Sequence, residues 1–515
     1  MSTKLRTRCS LLELQTKYEQ GDKKPLEDLM RAWKVFKERE INDPQSFFKL
    51  AGFHAMPFKG AGKYDAAYWG GYCQHGNVLF PTWHRTFMFK VEEALRSVPG
   101  CENVTLPYWD ETDDYTLKNG IPWVLTEEKF ELDGMLIDNP LVSYKLPVTL
   151  MDTTSDKNYN KLNYSKPKDY VTRRFPLAGL AGTANDLKAS ELHNAKFPNY
   201  KENVKILNEN VKAWLSEKVQ GQNFFHQQYK DCLKTPSYTV FSNVTSAREY
   251  DMTHPGEVSM ISLEGAHNHI HLMAGAFSRP RDSSTEMCED MILGASGDLG
   301  ENDFAAFDPL FYFHHINIDR LFWIWQRMHG KTDELDLIKE YPGTNTSDDQ
   351  GPTPGFAPNQ WLDFDTPLYP FYKNTKDGKE VPFCSRDVFN VEKQLGYTYS
   401  VGTLEKEAST MMPLLKEPGL KLVVSGINRS RIKGTFMVEA YLRTATEKMC
   451  LGYTSVMSRW NVSYCKNCQV TLETAGVFNL PNVPLSDFEV DVIVRTHTQA
   501  ISFYPTGDKE RYESA

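Results

Sequence analysis

The apolar residues of this chain keep helical spacing in its first part and alternate in its last, so no single type of secondary-structure layer can hold all of it. Leu26, Leu29, Met30, Trp33 and Phe36 repeat at helical intervals, as do His84, Met88, Val91 and Leu95, and later Phe311, His315, Ile318, Phe322 and Trp325. Each set lines one face of a helix. Beyond about residue 415, Phe436, Val438, Ala440 and Leu442 share one side of a strand and Phe488, Val490, Val492 and Val494 one side of another, which is the period of a half-buried sheet. At 515 residues the chain also exceeds the roughly 250–300 residues at which single cores stop growing. Two domains are therefore expected: a mainly α domain over residues 1–400 and an all-β, sandwich-like domain over 401–515. Residues 111–250, rich in Asn, Asp, Lys, Tyr and Pro with little period, read as loop with short helices. The turn-rich stretch Glu340–Phe356 reads as a connection, part of a segment 335–400 that wraps the first domain.

Composition narrows the partners. With 40% hydrophobic and 24% charged residues the chain is of globular type, and its apolar runs fall far short of the roughly 18–20 residues that cross a bilayer, so no membrane partner is expected. A net charge of -9 gives no basic face for nucleic acid. A homo-oligomer is compatible with this composition. The basic start Met1–Cys9 runs into Leu-Leu-Glu-Leu-Gln-Thr-Lys where a signal peptide needs an unbroken apolar stretch, so an intracellular, cytoplasmic location is expected. The sequons at Asn103, Asn243 and Asn461 would then carry no sugar. Nine cysteines, odd in number and mostly scattered, suit thiols or special chemistry better than a disulfide frame.

The histidines carry the chemistry. His54, His75 and His84 form one group, and His267 and His271, four apart, fall on one face of a helix while His269 points elsewhere. Of the adjacent His314 and His315, only one can share that face. A single histidine in such a place is ordinarily a hydrogen-bonded core or surface residue. Six at these spacings, on helices otherwise lined by Phe, Trp, Met and Leu, point to metal, because a buried imidazole needs partners for both nitrogens. Three neutral imidazoles per ion suit copper and leave positions open for dioxygen. A zinc hydrolase, the other metal reading, would use three protein ligands with a carboxylate base. Two all-histidine triads without bridging carboxylates fit copper better.

These segments resemble the two copper-binding signatures of the type 3 copper family, which includes tyrosinases, catechol oxidases and molluscan haemocyanins. The first is matched by His75, Phe80, Trp83-His84-Arg85 and Glu92, the second by Asp308-Pro309, Phe311, His315 and Asp319. The resemblance selects His315 over His314. It implies an antiparallel four-helix bundle holding two copper ions, one on His54, His75 and His84, the other on His267, His271 and His315. It also implies dioxygen as co-substrate and a small phenolic substrate: monophenols hydroxylated to o-diphenols, and o-diphenols oxidised to o-quinones. A catechol or o-aminophenol oxidase without the first step is the alternative. A haemocyanin-like oxygen carrier is another, although such carriers are more often secreted and built of repeated units.

The neighbours follow from the same resemblance. Cys73, two residues before His75, matches the cysteine joined by a thioether to that histidine in fungal and molluscan members; an ordinary buried thiol is the other reading. Glu264 and Asn268 match the pair that holds a water able to take the proton of an incoming phenol, though Glu264 could simply favour a helix start and Asn268 be a structural amide. Leu272 offers no polar help. Phe311, one turn before His315, is expected to pack on a ligand ring, with Asp319 just behind the ligands. Tyr397-Thr-Tyr399 resembles the motif that closes the catalytic domain of longer members, and the tail resembles the shielding domain that keeps such enzymes latent. In it, Cys465-Lys-Asn-Cys468 suggests transient copper delivery, with inert thiols the alternative and Cys450 as an assistant. Tyr453, Met457 and Trp460 lie on an expected loop, and Tyr453 would best mimic substrate as a plug in the copper pocket.

Overall fold

The structure is a computed structural model that describes residues 5–54, 72–152, 164–180, 184–278, 296–302, 304–348, 354–408, 419–432, 434–444, 446–458, 473–482, 488–497 and 500–503. The principal helices are α1 (Lys24–Glu38), α2 (Phe47–His54), α3 (Phe80–Arg96), α4 (Tyr200–Ser216), α5 (Phe224–Lys234), α6 (Leu263–Gly275) and α7 (Leu310–Met328). They share one apolar core. α6 and α7 lie at its centre, because α6 is buried at every position but Gly265 and α7 from Leu310 to Gln326. A helix that is buried all round can sit nowhere else. Ser262 starts α6 by accepting from the Gly265 N–H at 3.0 Å. Asp308 does similar work for α7, accepting from the Leu310 N–H at 2.9 Å. None of the described helices is long and apolar enough to cross a membrane.

The stretch read as loop between residues 111 and 250 is more helical than expected. α4 and α5 lie there, together with Ala184–Asn194 and Val244–Thr253. Leu207, Val211, Trp214 and Leu215 of α4 are buried at helical spacing, a narrow stripe diluted in the sequence by Asn, Lys and Glu on the solvent side.

The wrapping segment covers α3. In strand β2 (Pro367–Asn374), which pairs with β3 (Glu380–Cys384), the Tyr369 carbonyl accepts the Trp83 indole N–H at 2.7 Å and Phe371 packs on Trp83 at 5.2 Å. Strand β4 (Tyr397–Tyr399) then pairs in parallel with β1 (Arg6–Arg8). Helix Thr403–Ala408 packs on the helices, where Leu404 joins their core and Glu405 pairs with buried Arg320.

The tail is β, as expected. An antiparallel sheet takes the order β7 (Lys448–Val456), β6 (Phe436–Arg443), β9 (Glu489–Arg495), β10 (Ala500–Phe503), and β5 (Leu420–Asn428) pairs antiparallel with β8 (Glu473–Leu480) in a second, two-stranded sheet. Phe436, Val438, Ala440 and Leu442 of the first sheet share a core with Ile427 and Phe478 of the second, which is the packing of a sandwich. The other face of β6 and β7 lies against the helices. Gly452, at φ +131°, allows this, because a Cβ there would stand 3.1 Å from the Phe224 ring.

Candidate metal centre

Four helices and one loop bring the histidines together. α2 ends on His54, the loop before α3 carries His75 and α3 carries His84; their ring centroids lie 5.3 Å (54–75), 5.5 Å (54–84) and 5.1 Å (75–84) apart. α6 supplies His267 and His271 from one face, and α7 supplies His315. The Nε2 atoms of these three converge, with 2.8 Å between His271 and His267, 3.1 Å between His267 and His315, and 3.3 Å between His271 and His315. The triads adjoin where the His84 and His315 rings stack at 4.9 Å.

Hydrogen bonds decide which nitrogens face inward. His84 Nδ1–H donates to the Phe80 carbonyl and His271 Nδ1–H to the Leu299 carbonyl, both at 2.8 Å, and His267 Nδ1–H donates to Asn268 Oδ1 at 3.0 Å. That leaves each Nε2 as a lone pair, the arrangement of metal-bound histidine. Clustered lone pairs cannot satisfy one another, whereas nitrogens about 2 Å from a shared ion in tetrahedral array sit about 3.3 Å apart. His84 Nε2, too, is buried without a hydrogen-bond partner. Burial first, then the nearby imidazoles, holds His84, His267, His271 and His315 well below the ordinary histidine range, so the neutral, ligating form prevails. The donor set fits a pair of metal ions.

His314 belongs to the same cluster, with a ring nitrogen within 4.8 Å of those of His267, His271 and His315, but unlike them it is paired to a carboxylate. Its Nδ1 is 2.8 Å from Glu111 Oε1, both groups being wholly buried, and Asn317 and the Tyr229 hydroxyl also bond to that carboxylate. Sequence reasoning missed Glu111, which lies in no periodic pattern. Phenylalanines wall the site: Phe311 stacks on His315 at 3.8 Å and meets His54 edge-on at 4.8 Å, and Phe80 lies 4.6 Å from His84 and 5.1 Å from His267. Phe311 thus packs directly on the His315 ring.

Glu264 makes contacts not foreseen from sequence. Its carboxylate accepts the Gly76 N–H at 2.9 and 3.0 Å and the Val244 N–H at 3.0 Å, which ties the loop of His75 to α6. Asn268 lies one turn further along. Cys73 Sγ and ring nitrogens of His54 and His75 lie within 4.8 Å of one another. Asp319 is turned away from the histidines and towards Arg85, Arg8 and the hydroxyls of Tyr397 and Tyr399. Arg8 also pairs with Glu92 at 2.8 Å, so the signature residues Arg85, Glu92 and Asp319 form one buried ionic hub.

His269 points elsewhere as foreseen, and its Nδ1 meets Ser455 Oγ of the tail at 2.7 Å. Tyr453 corrects the sequence reading. It lies on strand β7, not on a loop, and its ring packs on Phe224 at 4.2 Å and on Trp214 and His269 at 5.2 Å. These contacts place the Tyr453 ring in the seam between tail and helices. Trp460, Cys465 and Cys468 lie outside the described residues.

The model of the common central domain of tyrosinase matches residues 44–328, more than half of the chain and all six histidines. The chain belongs to the tyrosinase family. A tyrosinase of Hahella sp. is 44% identical over 96% of this chain and 90% of its own length, and an Aspergillus oryzae tyrosinase is 40% identical over 92% and 88%. The solved structure of a Burkholderia thailandensis tyrosinase superposes with a TM-score of 0.81 at 44% identity, covering 96% of this chain and 95% of that one. Family membership makes the chain a copper oxidoreductase, and the match reaches through the tail.

Proposed function

We infer that this protein hydroxylates monophenols to o-diphenols and oxidises o-diphenols to o-quinones, with one copper on His54, His75 and His84 and the other on His267, His271 and His315. The convergence of three inward Nε2 atoms beside a second histidine triad carries this reading. Copper bound there would supply dioxygen binding and electron transfer. The protein's part is geometry. Carbonyls hold His84 and His271, and an amide His267, by their outer nitrogens, Phe80 and Phe311 exclude water, and Glu264 with Asn268 orients a water that accepts the phenol proton. Retention of that pair supports the first hydroxylation as well as diphenol oxidation.

The tail acts as a lid that keeps the enzyme latent. Three anchors support this: Lys421 to Asp251 at 2.8 Å, Asn479 Oδ1 to the Ser259 N–H at 2.8 Å, and Ser455 to His269 on the ligand helix itself. The test is to load the full chain with copper and assay a monophenol and a diphenol before and after proteolytic removal of the tail. Two coppers per chain and turnover of both substrates, rising on removal, are expected. Diphenol turnover alone would reduce the protein to a catechol oxidase, and no turnover of either would favour an oxygen carrier.

We also propose that Cys73 is joined to His75 by a thioether, which would limit reorientation of that ring. The peptide holding both residues is expected to weigh one pair of hydrogens less than its sequence mass. An unmodified mass, with a thiol that alkylates after denaturation, would count against the link.

A further inference from the structure

The short turn Asp298–Gly300 lies behind α6, where its Leu299 carbonyl accepts the Nδ1–H of His271. Glycines permit the approach. A Cβ on Gly275 would stand 2.0 Å from the Gly300 nitrogen, and one on Gly300 would stand 2.7 Å from the Ala276 Cβ. The Gly297 N–H adds a bond of 2.6 Å to the Gly275 carbonyl. Beneath the turn sits a charge cluster that the chemistry above does not use. Lys166, wholly buried, donates to Asp298, to Glu301 Oε2 at 3.0 Å and to the Gly179 carbonyl at 2.7 Å, with its ammonium 4.2 Å from the centre of the Phe304 ring. Asp298 Oδ2 in turn accepts the Tyr170 hydroxyl and the Arg173 N–H, each at 2.7 Å.

Well-packed apolar residues of similar volume often stabilise a core as well as a buried ionic group does, or better. What the ions add is direction: each bond fixes one atom of the turn against a distant segment. Resting on the dicopper reading, we propose that Lys166 is a positioning residue for His271, holding Asp298 and Glu301 so that the Leu299 carbonyl fixes the tautomer of His271 and aims its Nε2 at the second copper position. Partners of this kind orient a ligand and raise its basicity. With the turn loosened, the imidazole is free to rotate away from His267 and His315. The triad of His54, His75 and His84 has no bond to this turn among those described.

Lys166→Gln, which removes the charge, and Gly300→Ala, which pushes the turn off α6, test this in the full chain. Copper(II) is titrated into the metal-free protein against a competing chelator, and the half-loaded state is examined by electron paramagnetic resonance. The parent is expected to bind two equivalents tightly. Each variant should keep one and bind the other about 10–100-fold more weakly, with the resonance of an isolated copper(II) ion appearing at intermediate loading. Folded variants, judged by circular dichroism and melting, that bind both equivalents as the parent does would overturn the proposal. So would failure of both variants to fold, since the cluster would then be an element of stability. A parent that binds fewer than two equivalents would overturn the dicopper reading, and this proposal with it.

Discussion

Replacing His315 by asparagine is expected to remove one bound copper per chain and all measurable phenol turnover, whereas the same change at the adjacent His314 leaves both. The two side chains differ in what surrounds them and not in burial. His315 Nε2 lies within 3.3 Å of the Nε2 atoms of His267 and His271, while His314 is held from behind by Glu111. His314→Asn should therefore act on stability, costing about 1–3 kcal/mol as Glu111 loses part of its hydrogen bonding. Copper content after dialysis, turnover and a denaturation midpoint on each variant separate these outcomes. Loss of copper from the His314 variant with retention in the His315 variant would reverse the assignment.

Asp319→Asn is expected to lower the unfolding free energy by about 3–5 kcal/mol, the usual cost of leaving a buried charge uncompensated. Here two wholly buried guanidiniums, Arg8 and Arg85, lose their common carboxylate. Arg85 also donates to Gln326 and to the Val388 and Phe389 carbonyls, so it cannot turn outward to water. Arg85 follows His84 on α3 and Asp319 lies one turn beyond His315 on α7. The pair therefore clamps the two helices that bring one ligand of each triad together, and weakened copper retention should accompany the lost stability. The pH dependence has a definite sign. Burial alone would raise the Asp319 carboxyl, but Arg85 and Arg8, with hydrogen bonds from Tyr397 and Tyr399, outweigh it and hold it below the usual 3.8. The ionised form then contributes stability that is complete above the unfolded-state value and is lost as pH falls through the lower folded value. Acid unfolding below about pH 4 should be less steep in the variant. A urea midpoint indistinguishable from the parent's at pH 7 would remove Asp319 from this role.

Much of the centre is legible in the sequence. His267 and His271 share a face because a helix repeats every 3.6 residues, and the strand face of Phe436, Val438, Ala440 and Leu442 follows from the two-residue period of a sheet. Both are local rules, and the structure follows both. α4 is hard to read because its buried stripe is narrow, and the sequence around Tyr453 reads as loop because its strand is buried on both sides and so lacks clean alternation.

The sequence by itself determined the helical and β parts of the chain, the six histidines and the resemblance that pairs them with copper. Only the tertiary structure decided what each neighbour does: that Glu264 also anchors the loop of His75, that Asp319 joins α3 to α7, that Leu299 orients His271, and that Tyr453 lies in the seam of the tail. The reason is physical. Periodicity reports which way a side chain faces on its own element, but a hydrogen bond between Gly76 and Glu264, or between Arg8 and Asp319, joins residues far apart along the chain and exists only once packing has brought them together.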